Sequence, residues 1–343
     1  MKKLPKLVKG DKVAVLSPSF AAPGVWPHVY KLGLERLKNV FGLEAVEFPS
    51  TTKLEASKEE RAADLVAAFQ NPEMKAVITS IGGDDQVTYI KNLPNGVFRE
   101  NPKPVFGFSD NSHFSNFLFL NGVPSFYGGA LFTQFAMQGE MDTYTVKYLN
   151  HALFEEGEFE LEPSTEYNDI GLEWSDVSLL ANKRTYEISD GWYWDGERNG
   201  QGLLWGGCVE SVDEMLRHDV PIPSLEQFKG IVLMLETSEE IPTASYVTRV
   251  IRAFGERGIL GQVQGVLIGR PKAWEIDKQN TTEEKEIYRK EQREVVLNTI
   301  RSYNQDIPIV QNMNFGHTDP QISMPYGNRV RIVSGDQKIY ATF

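Results

Sequence analysis

One cysteine in 343 residues excludes an internal disulfide, so Cys208 cannot staple this chain. Long apolar runs are missing as well: no stretch approaches the ~20 residues of a membrane-spanning helix. The N-terminal MKKLPKLVKGDKVAVLSPS segment also lacks the apolar core of a signal peptide, so the cytoplasm is the expected compartment. Basic residues are in deficit, 35 against 47 acidic ones, and the net charge of -12 repels nucleic acid backbones and anionic membranes. Neither a nucleic acid polymer nor a membrane is therefore an expected partner. Only five histidines are available, which narrows any search for a general base. What is abundant suits a folded enzyme: hydrophobic residues make up 41% and aromatics 11%, enough for the cores of two domains.

Along the first half, short apolar runs alternate with helical stripes. Val13 to Leu16 reads as a strand feeding a Ser17-Pro18-Ser19 loop, and Leu32, Leu34, Leu37, Val40 and Phe41 mark a helical face. Ser57 and Glu60 have capping-box spacing ahead of Ala62, Leu65, Val66 and Phe69. Residues 76–81 and 104–108 are buried-strand candidates, the first ending in Gly82-Gly83 and the second at Ser109. This alternation predicts an α/β fold whose N-terminal domain, residues 1–165, is a doubly wound parallel sheet with its ligand crevice at the strand carboxyl ends. Residues 166–200, acidic and aromatic with Trp174, Trp192, Tyr193 and Trp194, read as a connector. Residues 201–343 read as a second α/β domain, with a buried strand ending at Glu236, helices over 244–254 and 282–303, strands over 263–268 and 307–310, and a hairpin turned at Ser334-Gly335-Asp336.

The Gly107-Phe-Ser-Asp110 segment joins a strand to a helical stretch, which places the Ser109 hydroxyl at a helix head. Backbone N–H groups of a first helical turn lack internal partners and can stabilise the oxyanion formed when a hydroxyl attacks a carbonyl. The Asp110 amide is the natural first donor, and Gly82-Gly83 can supply a second. A plain helix N-cap accounts for the same serine. A serine nucleophile needs an imidazole to take its proton. His317 follows the 307–310 strand, whereas His113 lies one turn along the same helix as Ser109, where its ring packs beside the helix more easily than it reaches the tip. His28, His151 and His218 fall on ordinary loop or helix surface. For a carboxylate to orient the imidazole, Glu236 stands out because it ends an apolar strand; an edge-of-core carboxylate paired with Arg270 is the alternative. Glu239 and Glu240 read as cleft rim or solvent-facing.

In order along the chain, Ser17-Pro-Ser19, Ile81-Gly-Gly-Asp84, Gly107-Phe-Ser-Asp110, Gly206-Gly207, Leu233-Met-Leu-Glu236, Gly269-Arg-Pro271, Gly316-His317 and Pro325-Tyr-Gly327 resemble the LD-carboxypeptidase family, which includes murein tetrapeptide carboxypeptidases and microcin C immunity peptidases. The resemblance implies a serine carboxypeptidase with a Ser109, Glu236, His317 triad, oxyanion donors at the Gly83 and Asp110 amides, and an active site at the domain interface. It also implies a homodimer, with no metal and no cofactor. Murein-recycling members usually carry an Arg-Gly-Gly-Tyr-type loop where this chain has Ile81-Gly-Gly-Asp-Asp85. That departure, Leu235-Glu-Thr-Ser-Glu-Glu240 and the tryptophan-rich connector look more like the microcin immunity branch, whose substrates are peptidyl- or aminoacyl-nucleotides. Trp174, Trp192 and Trp194 are then candidates for stacking on the base, with interdomain packing as the alternative for each. A murein tetrapeptide is the rival substrate, and a non-catalytic peptide or nucleotide binding protein the rival class.

Overall fold

The computed structural model describes residues 1–343. Five parallel strands and one antiparallel edge strand make the first sheet, in the order Met324–Tyr326, Ser125–Tyr127, Val105–Gly107, Met74–Thr79, Lys12–Leu16, Glu44–Glu47. Met74–Thr79 and Lys12–Leu16 are buried along nearly their whole length because helices cover both faces, which is why they read as continuous apolar runs. Strand order reverses between these two strands. The Ser17-Pro-Ser19 and Ile81-Gly-Gly loops leave their carboxyl ends at that switch point, where α/β sheets bind ligands. The helix Lys58–Gln70 starts at the anticipated capping box, with Ser57 and Glu60 each bonding the other's backbone amide.

The second sheet runs Glu158–Leu161, Lys338–Thr342, Arg329–Val333, Gly200–Cys208, Ile231–Glu236, Gly265–Gly269, Ile309–Met313, Tyr193–Asp195. Its four central strands are parallel, and the charged helix Thr282–Tyr303 and the helix Ala244–Glu256 pack together beside it. A cluster of 61 buried residues draws on both sheets, so the two halves share one apolar core. No helix is long and apolar enough to cross a membrane.

Three strands sit across the boundaries expected from the sequence. Glu158–Leu161, within residues 1–165, pairs with Lys338–Thr342 in the second sheet. Tyr193–Asp195, within the connector, pairs with Ile309–Met313 as the other edge of that sheet. Met324–Tyr326 returns from residues 201–343 to pair with Ser125–Tyr127 in the first sheet. Each supplies backbone partners to an otherwise open sheet edge, a long-range demand that local hydrophobic periodicity does not register.

Candidate active site

Ser109 follows the strand Val105–Gly107 at a sharp turn. Its φ is +62°, in the left-handed region that non-glycine residues rarely occupy, and such strain costs of order 1–3 kcal/mol and persists only where the surroundings impose it. After one 3-10 turn, Ser109–Asn111, the chain enters the buried helix Ser112–Leu120. The surroundings that hold the turn are specific. Gly107 leaves no room for a side chain: a Cβ there would stand 2.5 Å from Thr79 Oγ1. Gly82 lies directly against the serine, since its Cβ would fall 2.8 Å from Ser109 Cβ and 3.4 Å from the Asp110 nitrogen.

Buried Asp110 ties this turn to the neighbouring loops. Its Oδ2 accepts from the Ser19 hydroxyl and from the Gln86 amide at 3.1 Å, and Ser19 Oγ accepts the Asp85 amide at 3.1 Å. Asn111 donates to the Ile81 carbonyl at 3.2 Å and accepts from Gln86 Nε2 at 2.9 Å. The three motifs at Ser17-Pro-Ser19, Ile81-Gly-Gly and Gly-Phe-Ser-Asp are thus one hydrogen-bonded unit, in which Gly82 lies against Ser109 and the Asp110 nitrogen while Gly83 lies against Ser19. Burial, partly offset by His113, the Ser19 hydroxyl and the Gln86 amide, raises the Asp110 carboxyl above its ordinary range.

The second sheet presents the carboxylate and the imidazole. Glu236 ends the fully buried strand Ile231–Glu236; its Oε1 accepts the Tyr127 hydroxyl at 2.5 Å and its Oε2 lies 2.7 Å from His317 Nδ1. Tyr127 ends its own strand in the first sheet, and its hydroxyl also accepts the Ser109 amide at 3.2 Å. Burial first, then the adjacent Glu236, pushes the Tyr127 phenol far up, so it stays protonated and donates. Glycine makes the carboxylate–imidazole contact possible: Gly316 has φ +97°, and a Cβ there would meet Glu236 Oε2 at 2.4 Å. Gly206 allows close approach to Met234 in the adjacent strand, and Gly207 allows it between the two halves. A Cβ on Gly207 would meet Ser112 Oγ at 2.3 Å, the hydroxyl that accepts the Cys208 amide at 3.1 Å.

No hydrogen bond joins His317 Nε2 to the Ser109 hydroxyl. Nε2 is paired at 3.0 Å with Glu239 Oε2, which the sequence placed on the rim or in solvent. Glu239 is indeed exposed, yet its carboxylate turns inward to the ring. Burial alone would lower the His317 pKa, but Glu236 and then Glu239 outweigh it and push it up to about 10. Glu239 is held down to about 2: burial opposes its charge, and His317 overrides that penalty.

His113 is fully buried, 3.2 Å from Glu214 and 3.5 Å from Asp110, packed beside the helix as its position suggested. Arg270 is not Glu236's partner: it donates to Asn312 Oδ1 and Ser189 Oγ and lies over the Tyr167 ring. The tryptophans separate. Trp174 packs edge-on to Trp26 and Phe132, with centroids 5.2 and 5.5 Å apart. Trp194 lies on the edge strand opposite Val310. Trp192 donates through Nε1 to Asn314 at 3.0 Å, in the loop that leads to His317. Two groupings of side chains have metal-like proximity, Cys208 with Glu236 and His317, and Asp110 with His113 and Glu214. In the first, burial holds the thiol protonated and Glu236 already occupies His317 Nδ1, so the donors are not prepared for a cation.

Comparison with known proteins matches residues 13–128 to the LD-carboxypeptidase N-terminal domain and residues 201–332 to the LD-carboxypeptidase C-terminal domain. The chain is 26% identical to YocD of Bacillus subtilis, named for an inferred carboxypeptidase activity, over 98% of each protein. It is 21% identical to the microcin C7 self-immunity protein MccF of Escherichia coli over 98% of this chain and 94% of that one. Among solved structures, an MccF-like protein from Streptococcus pneumoniae in complex with AMP superposes with a TM-score of 0.84 at 25% identity, covering 97% of this chain and 98% of that one.

Proposed function

Because the chain belongs to the LD-carboxypeptidase family, we propose that it hydrolyses a C-terminal amide through an acyl-enzyme on Ser109, and that its substrates are aminoacyl- or peptidyl-nucleotides. The observation that carries this is the strained Ser109 at a helix head, joined through Tyr127 and Glu236 to His317 by one continuous run of hydrogen bonds. A helix N-cap alone accounts for neither the left-handed backbone nor that connection.

In the first half-reaction His317, with Nδ1–H held by Glu236, takes the Ser109 proton on Nε2 as Oγ bonds to the carbonyl carbon. The Gly83 and Asp110 amides receive the oxyanion. Collapse breaks the C–N bond while His317 returns the proton to the leaving nitrogen. Water then attacks the ester, with His317 accepting its proton and restoring Ser109. This sequence requires Nε2 to leave Glu239 first. Of the three tryptophans we assign the nucleobase to Trp192, which donates to Asn314 three residues before His317. The AMP complex of the Streptococcus pneumoniae relative supports a nucleotide as part of the ligand.

The test is to assay one preparation against an aminoacyl-sulfamoyl adenosine and a murein tetrapeptide, with Ser109→Ala as control. Cleavage of the nucleoside substrate, lost in Ser109→Ala, is the expected result. Cleavage of the tetrapeptide alone moves the function to murein recycling. Binding of either without cleavage leaves a binding protein.

A further inference from the structure

A second group of titratable side chains lies outside the run from Ser109 to His317, where the two halves meet. The buried helix Ser112–Leu120 carries His113 as its second residue, and the helix Val209–Arg217 packed against it carries Glu214. His113 Nε2 hydrogen-bonds Glu214 Oε2 at 3.2 Å, and Asp110 Oδ1 lies 3.5 Å from the same nitrogen. Asp110 Oδ2 is committed to the Ser19 hydroxyl and the Gln86 amide, which fixes the carboxylate. Its Oδ1 is left buried with no hydrogen-bond partner, on a residue only 1% exposed. One Nε2–H cannot serve both carboxylates well, and it serves Glu214. The other ring nitrogen gives no help, because Nδ1 is itself buried without a partner. Hydrogen bonding within the protein therefore leaves a buried carboxylate oxygen unsatisfied, a costly state for such a group.

The spacing of the three groups fits a bound metal ion. One oxygen of each carboxylate and a ring nitrogen lie within 4.8 Å of one another. Even with the Asp110–Glu214 edge at that 4.8 Å limit, and the other two edges at 3.5 and 3.2 Å, one point stands within about 2.4 Å of all three atoms. A shorter third edge brings that point toward the ~2.0–2.2 Å of Zn–N and Zn–O bonds. The two measured edges also bracket the roughly 3.3 Å ligand–ligand edge of a tetrahedral zinc site. An imidazole nitrogen suits zinc and its transition-metal neighbours, whereas magnesium and calcium take oxygen. Glu214 is 28% exposed, so an ion can enter beside it and a water can complete the shell. A metal-bound histidine normally donates its other N–H to an acceptor, which His113 lacks, so affinity should fall short of that of a zinc finger by about 10- to 100-fold.

We propose that Asp110 Oδ1, His113 Nε2 and a Glu214 carboxylate oxygen bind a divalent transition-metal ion, zinc in first place, with the ring proton passing from Nε2 to Nδ1 as the ion enters. The ion satisfies both carboxylates at once, which the Nε2–H does not. None of its three ligands belongs to the run from Ser109 to His317, so it takes no part in the hydrolysis. Its effect is mechanical: it ties the turn after Ser109, through Asp110, to the second half of the chain, through Glu214. Because the site exists only in the folded chain, filling it stabilises the fold.

The experiment takes the full chain, stripped with a chelator and dialysed, and titrates it with zinc sulfate by calorimetry, with magnesium chloride as the control. Thermal melts are recorded with and without each metal. One zinc should bind per chain, and the melting temperature should rise by a few degrees at about 100-fold excess over Kd, with no response to magnesium. Glu214→Ala sits at a partly exposed helix position where alanine is well tolerated. It should lower zinc affinity roughly 100-fold or more, beyond the effect of losing a ligand's outer partner. Glu214→Gln is the second variant should alanine disturb the helix. Cobalt(II) in place of zinc should give the visible spectrum of a four-coordinate ion with no sulfur charge-transfer band, and His317→Gln should bind zinc as the parent does. Absence of zinc binding, an equal response to magnesium, or affinity unchanged in both Glu214 variants would each overturn the proposal. So would a sulfur band or loss of binding in His317→Gln, either of which moves the ion to the Cys208, Glu236 and His317 group.

Discussion

Tyr127→Phe removes one oxygen atom and should damage both stability and turnover. The hydroxyl is fully buried and does two things: it donates to Glu236 Oε1 at 2.5 Å and accepts the Ser109 amide at 3.2 Å. A net hydrogen bond to a charged group is worth about 1.5–3 kcal/mol, and a buried amide left unpaired costs a further ~1–3 kcal/mol. The ring stays, so no cavity adds to the loss. About 3 kcal/mol or more of unfolding free energy should disappear in urea titration. With Glu236 held at one end only, the imidazole it orients should wander, and kcat/KM should fall roughly 10- to 100-fold, equivalent to about 1.4–3 kcal/mol of barrier. Tyr326→Phe is the internal control. It is equally buried, but its hydroxyl reaches only the Gly206 backbone, at 3.3 and 3.4 Å, so its loss should cost about 1 kcal/mol and spare turnover. If the two variants lose equal stability and neither loses activity, the Tyr127 hydroxyl does not brace Glu236 and the link between Ser109 and His317 is incidental.

Gly316→Ala places a Cβ 2.4 Å from Glu236 Oε2 on a backbone with φ +97°; the pair must separate, and turnover should drop on the order of 100-fold, as for an ångström-scale misplacement, while a folded variant with normal kcat would contradict this. His317 gains its partners only on folding, and its pKa rises from 6.5 to about 10. Its stabilising contribution is therefore complete below pH 6.5 and is lost as pH rises through about 10. The urea midpoint of the parent should accordingly fall between pH 7 and pH 10 more steeply than that of His317→Gln, and parallel slopes would count against the doubly paired ring. His113→Ala should lose stability because it empties a buried site between Asp110 and Glu214, yet keep measurable Ser109-dependent turnover, whereas His317→Ala should lose it; the opposite ranking would move the base to His113.

The α/β class, the buried strand ending at Glu236 and the capped helix Lys58–Gln70 were legible because each is written in local pattern: continuous apolar runs, or Ser and Glu three residues apart. Ser109, Glu236 and His317 were candidates because strand carboxyl ends deliver side chains to a common crevice, and it was the family resemblance that joined them into a triad. Tyr127 was not, since a tyrosine closing an apolar strand looks like core and only its hydroxyl partners distinguish it. Glu239 was hidden for the opposite reason. A charged residue beside Glu240 looks solvated, and the turn that aims its carboxylate at His317 is set by contacts far off in sequence. The left-handed backbone at Ser109 escaped because the segment lacks the second glycine that usually marks a nucleophile turn. The strands that cross from one half to the other escaped because edge pairing leaves no period in the chain. Trp174, Trp192 and Trp194 formed one group in sequence, but folding gives them three different neighbourhoods.

The central claim, that Ser109 is acylated, is tested most directly by rapid acid quench of the protein with an excess of an aminoacyl-sulfamoyl adenosine, followed by intact and peptide mass spectrometry. The account predicts an added mass equal to the aminoacyl group, carried by the peptide that contains Ser109, present in the parent and absent from Ser109→Ala. Hydrolysis with no adduct at any quench time and undiminished in Ser109→Ala, or an adduct on another residue such as Cys208, would contradict it.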